Sequence, residues 1–307
     1  MTAFSTEIKI AGVTFKNPVM NASGTFGNGR EYAELLDLSK LGAIVTKGVS
    51  LTPWEGNPTP RVAETPSGML NAIGLQNPGI DKFIDRELPF LEEVRSSGTR
   101  VVVNVCGHSV DEYVSVIERL SDKPVDMLEI NVSCPNVKEG AIAFGQDPDM
   151  LRDVTKACKS AAKQPVIMKL TPNVTDIKAL AKAAEDGGAD AISLINTITG
   201  MKIDVEKKKF LLANRTGGLS GPAIHPVAVR MVYEAAHAVD IPVIGMGGII
   251  SGNDALEMIL AGASAVAVGT ATFNDPDAMI RIIGEIGEYM EKHAVTDINE
   301  LVGAVSC

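Results

Sequence analysis

No apolar run in this 307-residue chain reaches the roughly 18 to 20 residues that span a bilayer, so no transmembrane helix is expected. Residues 1–9 also lack a basic stretch followed by an apolar one, the mark of a secretory signal. Positive charge is scarce: 28 Lys and Arg stand against 38 Asp and Glu, a net charge of −10. A nucleic-acid binder displaces counterions with clustered cations, so that class is excluded. The one basic run, Lys207 to Lys209, leads into apolar Phe210-Leu-Leu and reads as a solvated loop face. Cysteine is scarce too. Cys106, Cys134, Cys158 and Cys307 form no C-x-x-C pair and no zinc or iron–sulfur spacing. In the reducing cytoplasm expected for this chain, a disulfide framework is not expected either. Cys106 ends an apolar run and Cys158 lies in a helical one, so both read as core; Cys307 has no visible role. The four histidines, His108, His225, His237 and His293, make no H-E-x-x-H and no facial triad, and no metal is expected.

What the chain does have is ordinary globular composition, 45% hydrophobic and 21% charged, with a regular alternation of patterns. Short apolar, mostly β-branched runs recur at 18–21, 43–47, 101–105, 127–131, 166–170, 191–196, 243–246 and 265–268. Such runs suit parallel strands buried on both faces. Helical periodicity fills the intervals 31–41, 80–97, 110–120, 147–162, 175–186, 226–239, 253–261 and 275–292. Asp147, Thr175 and Asp275 are candidate helix caps, and Gly187-Gly188 is a candidate stop. The α/β class follows, and eight strands with eight helices predict a (β/α)₈ TIM barrel as one domain over 1–307, with a hairpin in the N-terminal segment. An open doubly wound sheet is the rival arrangement; the count of eight favours closure. The connections 48–79 after strand two and 197–224 after strand six are too long for turns, and with the loop after strand four, through Gly140 and Gly145, they read as binding loops or lids.

In this fold chemistry sits at the C-terminal ends of the strands. Those ends read Asn21-Ala-Ser23, Thr46-Lys47-Gly48, Asn104, Asn131 with Cys134, Lys169, Asn196-Thr197, Gly247-Gly248 and Gly269-Thr270. Amides dominate, with two lysines and one thiol and without the pair of acids a glycosidase needs. Pro135 cannot continue a strand, which leaves Cys134 on a loop at the end of strand four, either as a small buried residue or as a reactive one. The glycines after strands seven and eight fit the phosphate site that this fold builds there, or else tight turns. A dinucleotide fingerprint fails, because Ile250 stands where its last glycine belongs. A phosphate anchor together with Lys169 suggests a flavin mononucleotide whose reduced, anionic edge a buried ammonium stabilises; a strand-end salt bridge is the alternative.

Asn131-Val-Ser-Cys-Pro-Asn136, Asn71-Ala-Ile-Gly-Leu75, Gly245-Met-Gly-Gly248 and Val268-Gly-Thr270 together resemble the dihydroorotate dehydrogenase family over nearly the whole chain. The cysteine resembles the soluble class 1 enzymes. Residues 70–78 look like the 1B type, the catalytic subunit of an NAD-linked enzyme, rather than the fumarate-reducing 1A type. The resemblance implies that Cys134 is the base that takes a proton from C5 of dihydroorotate while hydride leaves C6 for FMN. It implies that Lys47, Asn71, Ala72, Ile73, Gly74, Leu75, Asn131, Asn136, Asn196 and Thr197 hold the substrate. Flavin would be held by Ser23, Lys47, Gly48, Asn104, Asn131, Lys169, Ile195, Gly221, Gly247, Gly248, Gly269 and Thr270. It also implies a partner subunit carrying FAD and a [2Fe-2S] cluster, NAD⁺ as final acceptor, and a heterotetramer built on a homodimer. Amides that both donate and accept suit a planar imide, and a thiol with a pKa near about 8.5 can serve as a base without extreme tuning. A phosphate-binding isomerase or synthase on the same barrel is the other reading of these residues.

Overall fold

The eight apolar runs are eight strands: β1 (Val19–Asn21), β2 (Ala43–Val45), β3 (Arg100–Val105), β4 (Met127–Asn131), β5 (Val166–Lys169), β6 (Ala191–Leu194), β7 (Val243–Met246) and β8 (Ala265–Val268). A computed structural model describes residues 4–133 and 141–306. Each strand pairs in parallel with the next, and β8 returns to β1 with Val266 opposite Val19 and Val268 opposite Asn21. The sheet is therefore closed, which excludes the open alternative. Almost every strand residue is buried, because one face fills the barrel and the other is covered by helices.

The helices that cover it are α1 (Leu88–Ser96), α2 (Val110–Leu120), α3 (Pro148–Ala161), α4 (Ile177–Asp186), α5 (His225–Ala236), α6 (Gly252–Leu260) and α7 (Ala278–His293). Their buried stripes, such as Val116, Ile117 and Leu120 on α2 or Ile282, Ile286 and Met290 on α7, join the barrel's outer face in one core. Asp147 caps α3 as its position before Pro148 suggests, accepting the Met150 N–H at 2.9 Å. Two expected caps are displaced. Asp176, not Thr175, caps α4, since its carboxylate reaches the N–H groups of Lys178 and Ala179. Asp275 lies before α7 and instead receives the Arg281 guanidinium at 2.9 Å. The helix expected over 31–41 is two 3₁₀ turns, Tyr32–Glu34 and Leu38–Lys40. Asp37 breaks the run between them by accepting the Ser39 N–H and starting a new turn.

The long loops carry structure of their own. Strands Val62–Thr65 and Gly68–Asn71 from the loop after β2 pair with Thr216–Ser220 and Ile198–Met201 from the loop after β6 in one four-stranded antiparallel sheet. The two loops thus brace each other beside the C-terminal ends of the strands. The expected N-terminal hairpin forms from Ile8–Ile10 and Val13–Phe15, and Arg100, the first residue of β3, donates to the Thr14 carbonyl there at 2.7 Å. Among the described residues no helix is long and apolar enough to cross a membrane.

Candidate active site

Residues paired across parallel strands share a face, and the barrel register sets Asn104 opposite Glu129, Asn131 opposite Lys169, and Lys169 opposite Ser193. All five are buried. Glu129 accepts from Asn104 Nδ2 at 2.5 Å and from Ser193 Oγ at 2.8 Å, and Lys169 Nζ lies 3.6 Å from its carboxylate. Lys169 also donates to Ser23 Oγ at 3.2 Å. The salt bridge and the ligand-facing role are compatible, because the same ammonium that pairs with Glu129 also lines the central cavity. Glu129 escaped the sequence reading. It is a single acid inside an apolar run, and its one signal is that it stands two residues before Asn131 and so shares its face.

The cavity measures about 320 Å³ and opens at the C-terminal ends of the strands. Its wall includes Ser23, Lys47, Asn131, Lys169, Ile195, Gly221, Gly247, Gly248, Gly269 and Thr270 from the expected flavin set, and Asn71, Ile73, Gly74, Leu75, Asn196 and Thr197 from the expected substrate set. Three expected residues stand back from it. Ala72 is buried with Leu70 and Leu212 in a separate small cluster under the antiparallel sheet. Gly48 and Asn104 lie behind the wall, close enough that a Cβ on Gly48 would sit 3.1 Å from Asn104 Oδ1, a buried oxygen without a hydrogen-bond partner among the described residues. Cys134 and Asn136 lie outside the described residues, as do Gly140 and Cys307. The loop after β4 continues as a short helix, Ala141–Gln146, with Gly145 against the Val132 carbonyl.

The amides are locked to one another. Asn131 Oδ1 accepts from Ser133 N and Oγ at 3.2 and 2.9 Å, and Asn196 Nδ2 donates to Ser133 Oγ at 2.8 Å. Asn196 Oδ1 in turn accepts the Thr197 N–H at 2.8 Å. Ser133, passed over between the motif's asparagines, is the hinge of this set. A preset amide orientation presents donors and acceptors in a fixed pattern, which suits a rigid planar ligand.

At the other end of the cavity the backbone turns through Gly247 (φ +131°) and Gly248 (φ +69°). Side chains are excluded there on two grounds. Positive φ is strained for them, and a Cβ on Gly248 would lie 2.8 Å from both the Gly221 carbonyl oxygen and His225 Cβ. Two lysines and no carboxylate line the cavity among the described residues, so its charge favours an anion. The side chains present thus fit a ligand with an anionic end against glycine backbone, a central anionic edge near Lys169, and a planar partner among the amides.

A family model for dihydroorotate dehydrogenase matches residues 5–290. The chain is 63% identical over 301 residues to the dihydroorotate dehydrogenase B (NAD(+)) catalytic subunit of Lachnoclostridium phytofermentans, covering 98% of this chain and 99% of that one. It is 58% identical over 305 residues to the subunit of the same name from Alkaliphilus metalliredigens, with 99% and 100% covered. Identity to the corresponding Geotalea uraniireducens subunit is 54% over 299 residues, 97% of each chain.

Proposed function

The chain belongs to the dihydroorotate dehydrogenase family, and from that premise we propose that it is the catalytic subunit of an NAD⁺-linked dihydroorotate dehydrogenase of the 1B type. It oxidises (S)-dihydroorotate to orotate in pyrimidine biosynthesis, in the cytoplasm. The observation that carries this reading at the site is a cavity that, among the described residues, has two lysines, no carboxylate and a wall of interlocked amides, next to a glycine turn. Bound FMN supplies the acceptor for the hydride that leaves C6 of the substrate. Gly247, Gly248, Gly269 and Thr270 hold its phosphate. Lys169, set by Glu129 and Ser23, stabilises negative charge at the ring.

Lys47 and the amides of Asn71, Asn131, Asn136 and Asn196 hold the substrate's carboxylate and imide. Cys134 takes the C5 proton. The arrangement divides the work in a way the chemistry requires, since proton and hydride leave adjacent carbons and must be received by different groups.

Among the described residues the cavity rim carries three exposed apolar side chains, Val62, Ile250 and Phe273. Such a rim suits a partner subunit, and FAD and a [2Fe-2S] cluster there carry electrons on to NAD⁺. Two copies of each chain make the heterotetramer.

Anaerobic mixing of the flavin-loaded chain with dihydroorotate tests the reading. Flavin absorbance should bleach rapidly, and Cys134→Ser should slow the bleaching by at least about 10²-fold while retaining flavin. A colourless purified chain, or bleaching at an unchanged rate in the variant, would count against it.

A further inference from the structure

Behind the glycine turn lies a group the proposed reaction does not use. His225, the first residue of α5, is buried, with Nδ1 2.8 Å from the Gly247 carbonyl oxygen and Nε2 3.1 Å from Glu257 Oε2 on α6. A carbonyl oxygen only accepts, so Nδ1 carries a hydrogen. Asp254, one turn earlier on α6, lies 3.8 Å from the same Nε2. Its other oxygen accepts the N–H groups of Ile250 and Ser251 and the Ser251 hydroxyl, each at 2.9 Å. The segment from Gly247 to Ile250 is therefore held at both ends by carboxylates of one helix, through His225 at the start and directly at the end.

We propose that His225, donating from Nδ1 to the Gly247 carbonyl and held at Nε2 beside Glu257, is a positioning residue that orients the Gly247–Gly248 peptide for a phosphate monoester; the inference rests on the reading of that turn as the FMN phosphate cradle. In a trans peptide the C=O and the following N–H point in opposite directions. With the Gly247 carbonyl drawn onto His225, the Gly248 N–H is turned away from the ring, and Gly248 lines the cavity. A carbonyl released from the histidine could rotate its lone pairs toward the phosphate and repel it. His225 thus selects a phosphorylated flavin over the same flavin without phosphate, and it does so without touching either.

The test compares FMN and riboflavin affinities of the full-length chain after flavin removal. His225→Phe keeps bulk but cannot donate, and it should weaken FMN by about tenfold, the usual weight of a hydrogen bond to a charged partner, with riboflavin affinity unchanged. His225→Asn, whose amide can reach the Gly247 carbonyl, should restore most of the preference. The melting temperature and the ³¹P resonance of bound FMN separate lost orientation from lost folding: a shifted resonance in a chain that melts normally supports the assignment. Gly248→Ala is the control for the cradle itself. If its FMN preference is unchanged, the cradle reading falls and this inference with it. If Gly248→Ala loses the preference but His225→Phe keeps it, only the role of His225 is overturned.

Discussion

Asn104 and Glu129 face each other across β3 and β4 with the amide nitrogen 2.5 Å from the carboxylate, and this pair holds the only carboxylate that reaches Lys169 among the described residues. A buried ammonium without its counter-charge is costly. Removing one partner of a buried pair destabilises by about 3 to 5 kcal/mol. Glu129→Gln should therefore lower the stability of the flavin-free protein by an amount in that range, read as the midpoint of urea unfolding. An anion bound beside Lys169 should return part of the loss, so flavin should stabilise the variant more than the parent. An unchanged midpoint would mean that the pair with Glu129 adds nothing to the stability of the fold.

Asn77 anchors the loop that carries Asn71 to Leu75. Its Oδ1 accepts from Ser50 N, Ser50 Oγ and Gly79 N at 3.2, 2.9 and 2.9 Å, its Nδ2 donates to the Leu75 carbonyl at 2.9 Å, and its backbone pairs with Trp54 in both directions. Asn77→Ala leaves those donors without an acceptor and frees the loop. The expected result is a KM for dihydroorotate raised about tenfold, as for one or two lost hydrogen bonds, with flavin retention unchanged. A steady-state titration on flavin-loaded variant protein reads this directly, and an unchanged KM would show that the loop is held by other contacts.

Asn77 also marks how far the sequence could be read. The eight strands were legible because parallel strands buried on both faces write continuous apolar runs, and the strand ends then located Lys47, Lys169 and the glycine turn. Pairing was not legible. That Glu129 meets Asn104, Ser193 and Lys169 depends on the register between strands, which no local pattern encodes. Nothing local to Asn77, in the 70–78 stretch, or to Ser133, between Asn131 and Asn136, shows which groups their side chains hold. The helix expected over 31–41 failed for a local reason, since Asp37 can satisfy the Ser39 N–H and so starts a turn in the middle of an apolar periodicity. His225 reads as one more helical residue until the fold brings Gly247 and α6 against it.

Cys158 on α3 gives a stability test that is independent of the active site. Burial pushes its thiol from an ordinary 9.0 up to about 12. The folded chain keeps that proton where the unfolded chain releases it, so the stabilisation is whole below pH 9 and is lost as pH rises toward 12. The loss amounts to at most about 1.4 kcal/mol per pH unit. Cys158→Ala lacks this dependence. It should be less stable than the parent at pH 8, and the gap should narrow by about 1 kcal/mol at pH 10. Urea unfolding of both proteins at the two pH values measures it, and a constant gap would mean that the thiol is accessible to ionisation in the folded state.

The final prediction concerns where the electrons go. The chain has no dinucleotide fingerprint, since Ile250 occupies the place of the last glycine, and its cysteines lack iron–sulfur spacing. On the function proposed above, the cavity of about 320 Å³ takes one flavin and one small planar acid, and a nicotinamide would have to displace the substrate to approach. On that reading electrons leave through the wall, and the exposed Phe273 and Ile250 at its rim suit a surface that a second protein covers. The isolated chain should reduce artificial dyes with dihydroorotate but not NAD⁺, and should gain NAD⁺ reduction on addition of an iron–sulfur flavoprotein partner. Phe273→Lys should weaken that gain while leaving dye reduction intact, because a charge placed in an apolar contact must be desolvated to bind. Rapid NAD⁺ reduction by the homogeneous chain would contradict the need for a partner, and efficient fumarate reduction would assign it instead to the 1A type.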